Sequence, residues 1–239
     1  MKILAFDTCL DKMYVALGDG DEILSSEIVE TTETTYHSAF LISTIAKVLQ
    51  ENNLKPQDID VIATNIGPGS FTGIRACTTV ARVMAQGLDK KTVGVSSLEI
   101  LSLIREIGNG KWEMEAPLTS HLSPLTPKTL VALDARKEMA YVAIYENGIE
   151  IQTPQSMLIE DIKKIITEED YFVITDNKLL PILGGISYQN ISSFGNYDLG
   201  EILIKIAAAK LKTDYDTNWQ KLLPLYIQPP ALHVKKEVK

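Results

Sequence analysis

Cysteine and histidine are scarce in this 239-residue chain, two of the first and three of the second, and that removes several kinds of chemistry at once. Cys9 and Cys77 offer neither a disulfide framework nor a metal-ligand spacing, so both are expected as reduced thiols in a cytoplasmic protein. A helix-borne metal pair needs a second imidazole one turn on, because residues four apart share a face. His37 has Leu41 in that place, His121 lies in a stretch without period, and His233 stands near the end. No metal site and no catalytic residue is therefore expected. No apolar run reaches the roughly 20 residues of a membrane helix. Asp7 interrupts the first apolar run before it could act as a signal segment, with Lys2 the lone base ahead of it. Positive charge is short as well: 23 Lys+Arg against 31 Asp+Glu leave a net −8. That balance argues against autonomous binding to nucleic acid, which needs a basic face. Any nucleic-acid contact would draw its positive surface from another subunit. The basic group His233-Val234-Lys235-Lys236, with Lys239, reads as a solvated end.

What is present is a segment written twice. Leu4-Ala5-Phe6-Asp7 leads to Tyr14-Val15-Ala16-Leu17, and Val131-Ala132-Leu133-Asp134 leads at the same spacing to Tyr141-Val142-Ala143-Ile144. Each copy closes on a turn (Gly18-Asp19-Gly20; Asn147-Gly148) and continues into a third short run, Glu22 to Val29 and Ile149 to Ile151. Self-similarity of this kind predicts two structural repeats of one fold. The first hundred residues read as strands over 3–6, 13–17 and 23–29, a helix from about Tyr36-His37-Ser38 to Asn52, a strand over 59–65, a helix over 71–88 and a strand over 92–95. Three antiparallel strands followed by αβαβ is the order of a ribonuclease-H-like half. A helix over 97–107 could cross between halves, and 108–128, without clear period, reads as a loop or insertion. The second copy starts at Thr129, with helix 159–167, strand 171–175, strand 191–194 and a helix from Asp198 to about Thr213. The division expected is 1–103 plus 196–215 as a first subdomain, 104–195 as a second, and 216–239 as a tail.

Each motif carries two readings. Asp7-Thr8-Cys9, at the corner between the first two strands, is either a phosphate or metal corner or an Asx/ST turn. Gly67-Pro68-Gly69-Ser70-Phe71-Thr72-Gly73-Ile74-Arg75 follows a strand and opens a helix, where backbone N–H groups can cradle an anion. It lacks the Lys-Ser/Thr pair of a Walker A loop, and its glycines equally serve turn conformation, capping by Ser70 or Thr72 and close packing at Gly73. Asp7, Thr8, Gly67, Gly69 and Ser70 are thus the candidate nucleotide or phosphate residues. Asp134-Ala135-Arg136-Lys137 repeats the corner without a base in position; Gly184-Gly185 is the only later glycine pair, and Arg136 is free to pair with Asp134. The two helices are apolar over a wide arc: Leu41, Ile42, Ile45, Ala46, Val48 and Leu49 in one, and Ala76, Cys77, Val80, Ala81, Val83, Met84, Ala85 and Leu88 in the other. A face wider than one buried contact needs either a partner or a sandwiched position.

Taken in order, these residues resemble the TsaB (YeaZ) family. The match lies in Lys2 to Thr8, His37-Ser38, Gly67 to Arg75, Gly94-Val95-Ser96-Ser97-Leu98, Asp134-Ala135-Arg136 and the tail Pro224-Leu225-Tyr226-Ile227. Gln228 departs from the arginine usual there. The resemblance implies a duplicated ASKHA (actin-like ATPase) fold, α/β, in two subdomains each with a mixed sheet flanked by helices. It also implies a non-catalytic partner of TsaD in forming threonylcarbamoyladenosine in tRNA. TsaD carries a metal-binding His-x-x-x-His; this chain has His37 and Leu41 in that place. The implied interface is carried by His37, Phe40, Leu41, Phe71, Ala76, Thr79, Val80 and Val83. TsaE joins that heterodimer, family members also form homodimers, and any ATP or Mg²⁺ comes through partner subunits. The rival readings are a small-molecule kinase or ATPase of the same fold, and a peptidase, for which no nucleophile–base pair or metal pair is visible.

Overall fold

Alternation along the first strand sets the architecture. In the computed structural model, which describes residues 1–30, 39–104, 128–184, 191–195 and 197–227, strand β1 (Lys2–Asp7) sends Ile3 and Ala5 to one face and Leu4 and Phe6 to the other. All four are fully buried, so the strand lies between two apolar layers. It pairs antiparallel with β2 (Lys12–Asp19) and parallel with β4 (Val61–Asn65). With β3 (Glu22–Glu30) and β5 (Lys91–Val95) the first sheet has the order β3-β2-β1-β4-β5. Strands β6 (Lys128–Arg136), β7 (Met139–Glu146), β8 (Ile149–Leu158), β9 (Tyr171–Thr175) and β10 (Ile191–Ser193) form the second, in the order β10-β9-β6-β7-β8. Read from the other edge, this is the first order again, so the duplication in the sequence is a duplication of topology.

Helices α1 (Leu41–Glu51) and α2 (Phe71–Leu88) cover the outer face of the first sheet, on Leu4, Phe6, Val15 and Ile62. Between the sheets lie α3 (Ser97–Ser102) and, later in the chain, a long helix over 199–210. On the far side, α4 (Ile159–Glu168) and the single turn α5 (Leu180–Leu183) cover Leu130, Ala132, Val142 and Ile144. The long helix is α6 (Leu199–Lys210), capped by Asp198, whose Oδ1 accepts the Gly200 and Glu201 N–H groups. Leu199, Ile202, Leu203, Ile204, Ile206 and Ala207 around its circumference are all buried, as a helix held between two sheets requires. The two central helices are exchanged: α3 follows the first sheet in sequence but packs on β6 and β7, whereas α6 follows the second and packs on β1 to β5.

Several expected boundaries move. Helix α1 begins at Leu41, because the first α-helical bond is Thr44 N–H to Phe40 O (2.9 Å); His37 lies outside the described residues. Helix α3 stops at Ser102, where Leu103 N–H turns back to Ile100 O; the interval 105–127, with most of the expected insertion, lies outside the described residues and Lys128 already belongs to β6. Strand β8 runs ten residues, through Pro154, rather than ending at Ile151. It is an edge strand, and Pro154 falls where the register slips, opposite the Val142–Ile144 step, so its missing N–H leaves no ladder bond unmade. No helical turn was expected over 180–183; there Gly184 N–H bonds to Leu180 O (2.8 Å), so this glycine closes a turn. Gly185 lies outside the described residues.

The segment after α6 is a strap along the β5 edge. Tyr215 OH meets Gly94 N–H and Gly94 O (3.1 Å each), Thr217 O accepts the Thr92 N–H (2.9 Å), and Leu225 N–H reaches Ile66 O (2.8 Å). The strap satisfies backbone groups that an open sheet edge would expose. Residues 228–239, including Gln228 and the basic group, lie outside the described residues.

Candidate functional site

The β1–β2 corner closes on itself. Asp7 ends β1 fully buried; its Oδ1 accepts a hydrogen bond from the Cys9 N–H (2.6 Å) and its Oδ2 accepts one from Asn65 Nδ2 (2.9 Å). The first of these is the two-residue bond of an Asx turn. Asn65, at the end of β4, then takes on its Oδ1 the Gly67 N–H (2.8 Å) and the Ser97 hydroxyl (3.0 Å). One buried amide so ties β1, the glycine loop and the start of α3 together. Thr8 donates its hydroxyl to Gly73 O (2.9 Å) and its N–H to Cys77 Sγ (3.1 Å). The Ser70 N–H bonds to Cys9 O (2.7 Å), and the Ser70 hydroxyl caps α2 by accepting from Gly73 N–H (3.3 Å). The glycines allow this approach: a Cβ at Gly69 would stand 2.3 Å from Cys9 O, and one at Gly73 would stand 1.9 Å from Thr8 O.

Among the phosphate candidates, then, the N–H groups of Gly67 and Ser70 and the carboxylate of Asp7 are engaged by the chain itself. Burial pushes the Asp7 carboxyl above its ordinary value of 3.8, against the pull of its two hydrogen bonds. A carboxyl that is harder to ionise folded than unfolded contributes stability that is complete below pH 3.8 and declines as pH rises through its folded value. The stability lost in Asp7→Asn should accordingly be greatest at pH 4 and shrink toward pH 8. Denaturant titrations across that range would check the sign, and a loss that grew with pH would contradict it.

The structure also joins Cys9 and Cys77 to Asp7, their ligand-capable atoms lying within 4.8 Å of one another. Sequence reading missed this trio, since Cys77 lies far along the chain from Asp7 and Cys9. Both thiols are buried, Cys9 Sγ donates to Asn65 O (3.6 Å), and burial beside Cys77 and Asp7 holds the Cys9 thiol well above its usual pKa. Cys77 meets the Thr8 N–H and hydroxyl (3.1 and 3.2 Å), so both thiols are held within the corner by the chain itself.

At the second corner, Asp134 accepts the Arg136 N–H (2.9 Å) and meets Lys178 (3.6 Å). Among the described residues the ion partner of Asp134 is Lys178 rather than Arg136, and Arg136, Lys137 and Glu138 all take positive φ in the turn. That turn uses the Arg136 backbone, not its side chain, to satisfy Asp134.

The outer helices are open. Leu41, Ile45, Val48 and Leu49 pack beneath α1, while Ile42 stands 67% exposed and Ala46 is exposed. Leu41, expected at an interface, is thereby corrected: it is fully buried on the sheet and presents nothing outward. Along α2, Val83 is 64% exposed, Phe71 and Thr79 are exposed, and Ala76 and Val80 are half-buried. Phe40, ahead of α1, is exposed too. Both helices of the outer layer thus carry apolar side chains that the described residues leave exposed.

Fold and face can now be set beside known proteins. The family model of TsaD, tRNA N6-adenosine threonylcarbamoyltransferase, matches residues 24–165. The chain is similar to the tRNA threonylcarbamoyladenosine biosynthesis protein TsaB of Bacillus subtilis, 29% identical over 174 residues that cover 71% of this chain and 68% of the relative. It is also similar to the Escherichia coli TsaB, 30% identical over 153 residues, 62% of this chain and 58% of that one. Among solved structures, YeaZ from Pseudomonas aeruginosa superposes with a TM-score of 0.73 at 20% identity, covering 94% of this chain and 99% of that one. Two repeated sheets with exchanged central helices place the molecule in the duplicated, actin-like ASKHA class of α/β folds. Within that class, the chain belongs to the TsaB/YeaZ family.

Proposed function

We propose that this chain is a non-catalytic subunit that docks on TsaD and activates it. TsaD then transfers threonylcarbamoyl from threonylcarbamoyl-AMP to N6 of the adenosine 3′ of the anticodon. Family membership ties the chain to tRNA threonylcarbamoyladenosine biosynthesis. The observation that carries the finer reading is the exposure of large apolar side chains on the outer helices, Phe40 and Ile42 at α1 and Phe71 and Val83 on α2, on a chain of net charge −8. Exposed apolar groups gathered on one face mark an interaction site. The closed corner supports the absence of catalysis by this chain: Asp7 is buried and the loop groups beside it are used internally. In this reading the complex is cytoplasmic, TsaE joins the heterodimer, ATP and Mg²⁺ enter through the partner subunits, tRNA is met only through the complex, and the same face supports a homodimer when the chain is alone.

Mixing the purified chain with TsaD should give a one-to-one complex by light scattering, and tRNA modification by TsaD should depend on its presence. Full TsaD activity without this chain, or substrate turnover by this chain unaccompanied, would overturn the proposal.

A further inference from the structure

Helix α2 carries Arg75 and Arg82 and no aspartate or glutamate in its 18 residues, in a chain where acids outnumber bases 31 to 23. Among the described residues neither arginine takes part in an ion pair. Both are nonetheless held in place. The Arg75 guanidinium lies 3.9 Å over the Phe71 ring, and its Nε donates to Tyr226 OH (3.0 Å). Phe71 and Tyr226 are themselves in contact, ring centroids 5.7 Å apart. The Arg82 guanidinium stands 5.8 Å over Trp219. Tyr226 and Trp219 both belong to the strap, which is anchored by Leu225 N–H on Ile66 O and by buried Leu222. The strap therefore props each arginine with one aromatic ring. The two arginines are seven residues apart, nearly two full turns, so they share a side of the helix roughly 10 Å apart.

An arginine on a free surface normally loses much side-chain freedom when it binds. Arg75 has already lost it, and its one internal bond uses Nε, leaving the terminal nitrogens of the fork for an outside acceptor. We infer that Arg75, with Arg82 behind it, is a pre-oriented carboxylate receptor on the docking face, matched to acidic side chains about two helical turns apart on the TsaD surface, with the C-terminal strap as its positioning element. The inference rests on the docking reading above and adds what that reading lacks, a charge-specific determinant beside the apolar contact.

The test is the affinity for TsaD as a function of salt, measured for the wild type, Arg75→Gln, Arg75→Lys and Tyr226→Phe, each with a melting curve. Arg75→Gln should weaken binding about tenfold or more and flatten the salt dependence. Arg75→Lys should not restore it, because an ammonium lacks the planar fork. Tyr226→Phe keeps the ring and the fold but frees the guanidinium, and should weaken binding about threefold, by the cost of reordering one side chain. Wild-type binding that ignores salt, or Arg75→Gln binding within twofold of wild type, would overturn this inference alone. Failure of the wild type to bind TsaD would bring down the docking reading and this one together.

Discussion

Val83→Glu should abolish the complex with TsaD while leaving the isolated protein as stable as before. Val83 stands 64% exposed on α2, so glutamate there meets water in the free chain. Surface changes of this kind stay within about 0.5 kcal/mol, and glutamate is the better helix former. On docking the balance reverses. The valine contributes about 1.5 kcal/mol or more of apolar burial, and an unpaired carboxylate placed in the contact costs about 2 kcal/mol or more. A sum of about 3.5 kcal/mol or more corresponds to roughly three-hundredfold or more in affinity. Titration calorimetry and a tRNA modification assay should fall together, with an unchanged melting temperature. Binding within tenfold of wild type would remove this face from the interface.

Gly73→Ala should cause the largest loss of stability of any single methyl addition in the chain's glycine loop. Its Cβ would stand 1.9 Å from Thr8 O and 2.7 Å from Thr8 C, and both are backbone atoms at the end of a buried strand. Nothing there can swing aside, so α2 must move off the corner. That motion breaks the Thr8 hydroxyl bond to Gly73 O and the Thr8 N–H contact with Cys77. We expect a loss of about 3 kcal/mol or more, as overpacking combines with orphaned buried groups. Gly87→Ala, on the same helix, is the paired case: a Cβ there meets nothing within 4 Å, and replacing a helical glycine should add about 0.5–1 kcal/mol. Urea denaturation of the two variants would decide. Equal stability would mean that the loop does not press on the corner as described.

What could be read from the sequence follows from the range of the forces concerned. The expected helix over 71–88 matches α2, Phe71 to Leu88, since its start is encoded locally by Ser70 and no proline interrupts its apolar period. Strand β9 likewise matches its expected 171–175, a short β-branched and aromatic run between turns. Strand β8 extends beyond the run from Ile149 to Ile151, and Pro154 is tolerated within it because β8 lies at an edge beside a bulge, which local sequence does not reveal. The corner was legible in part. Asp7, Thr8 and the glycines announced themselves as motifs, but Asn65 did not, though its amide joins three elements. A single asparagine at a strand end has no periodic or motif signal. Arg75 with Tyr226, 151 residues apart, is beyond local reading altogether.

The crossed placement of α3 and α6 has a consequence for how the body can move. Two lobes that move against each other need a seam along which to slide. Here α3 and α6 each pack on the other half's sheet, and one apolar core runs from Ile3 and Ala63 through Leu98, Leu203 and Ala207 to Val131 and Tyr145. Severed between the repeats, each fragment would be left wearing the wrong coat. With that core shared, the two sheets are expected to move as one body rather than as two hinged lobes.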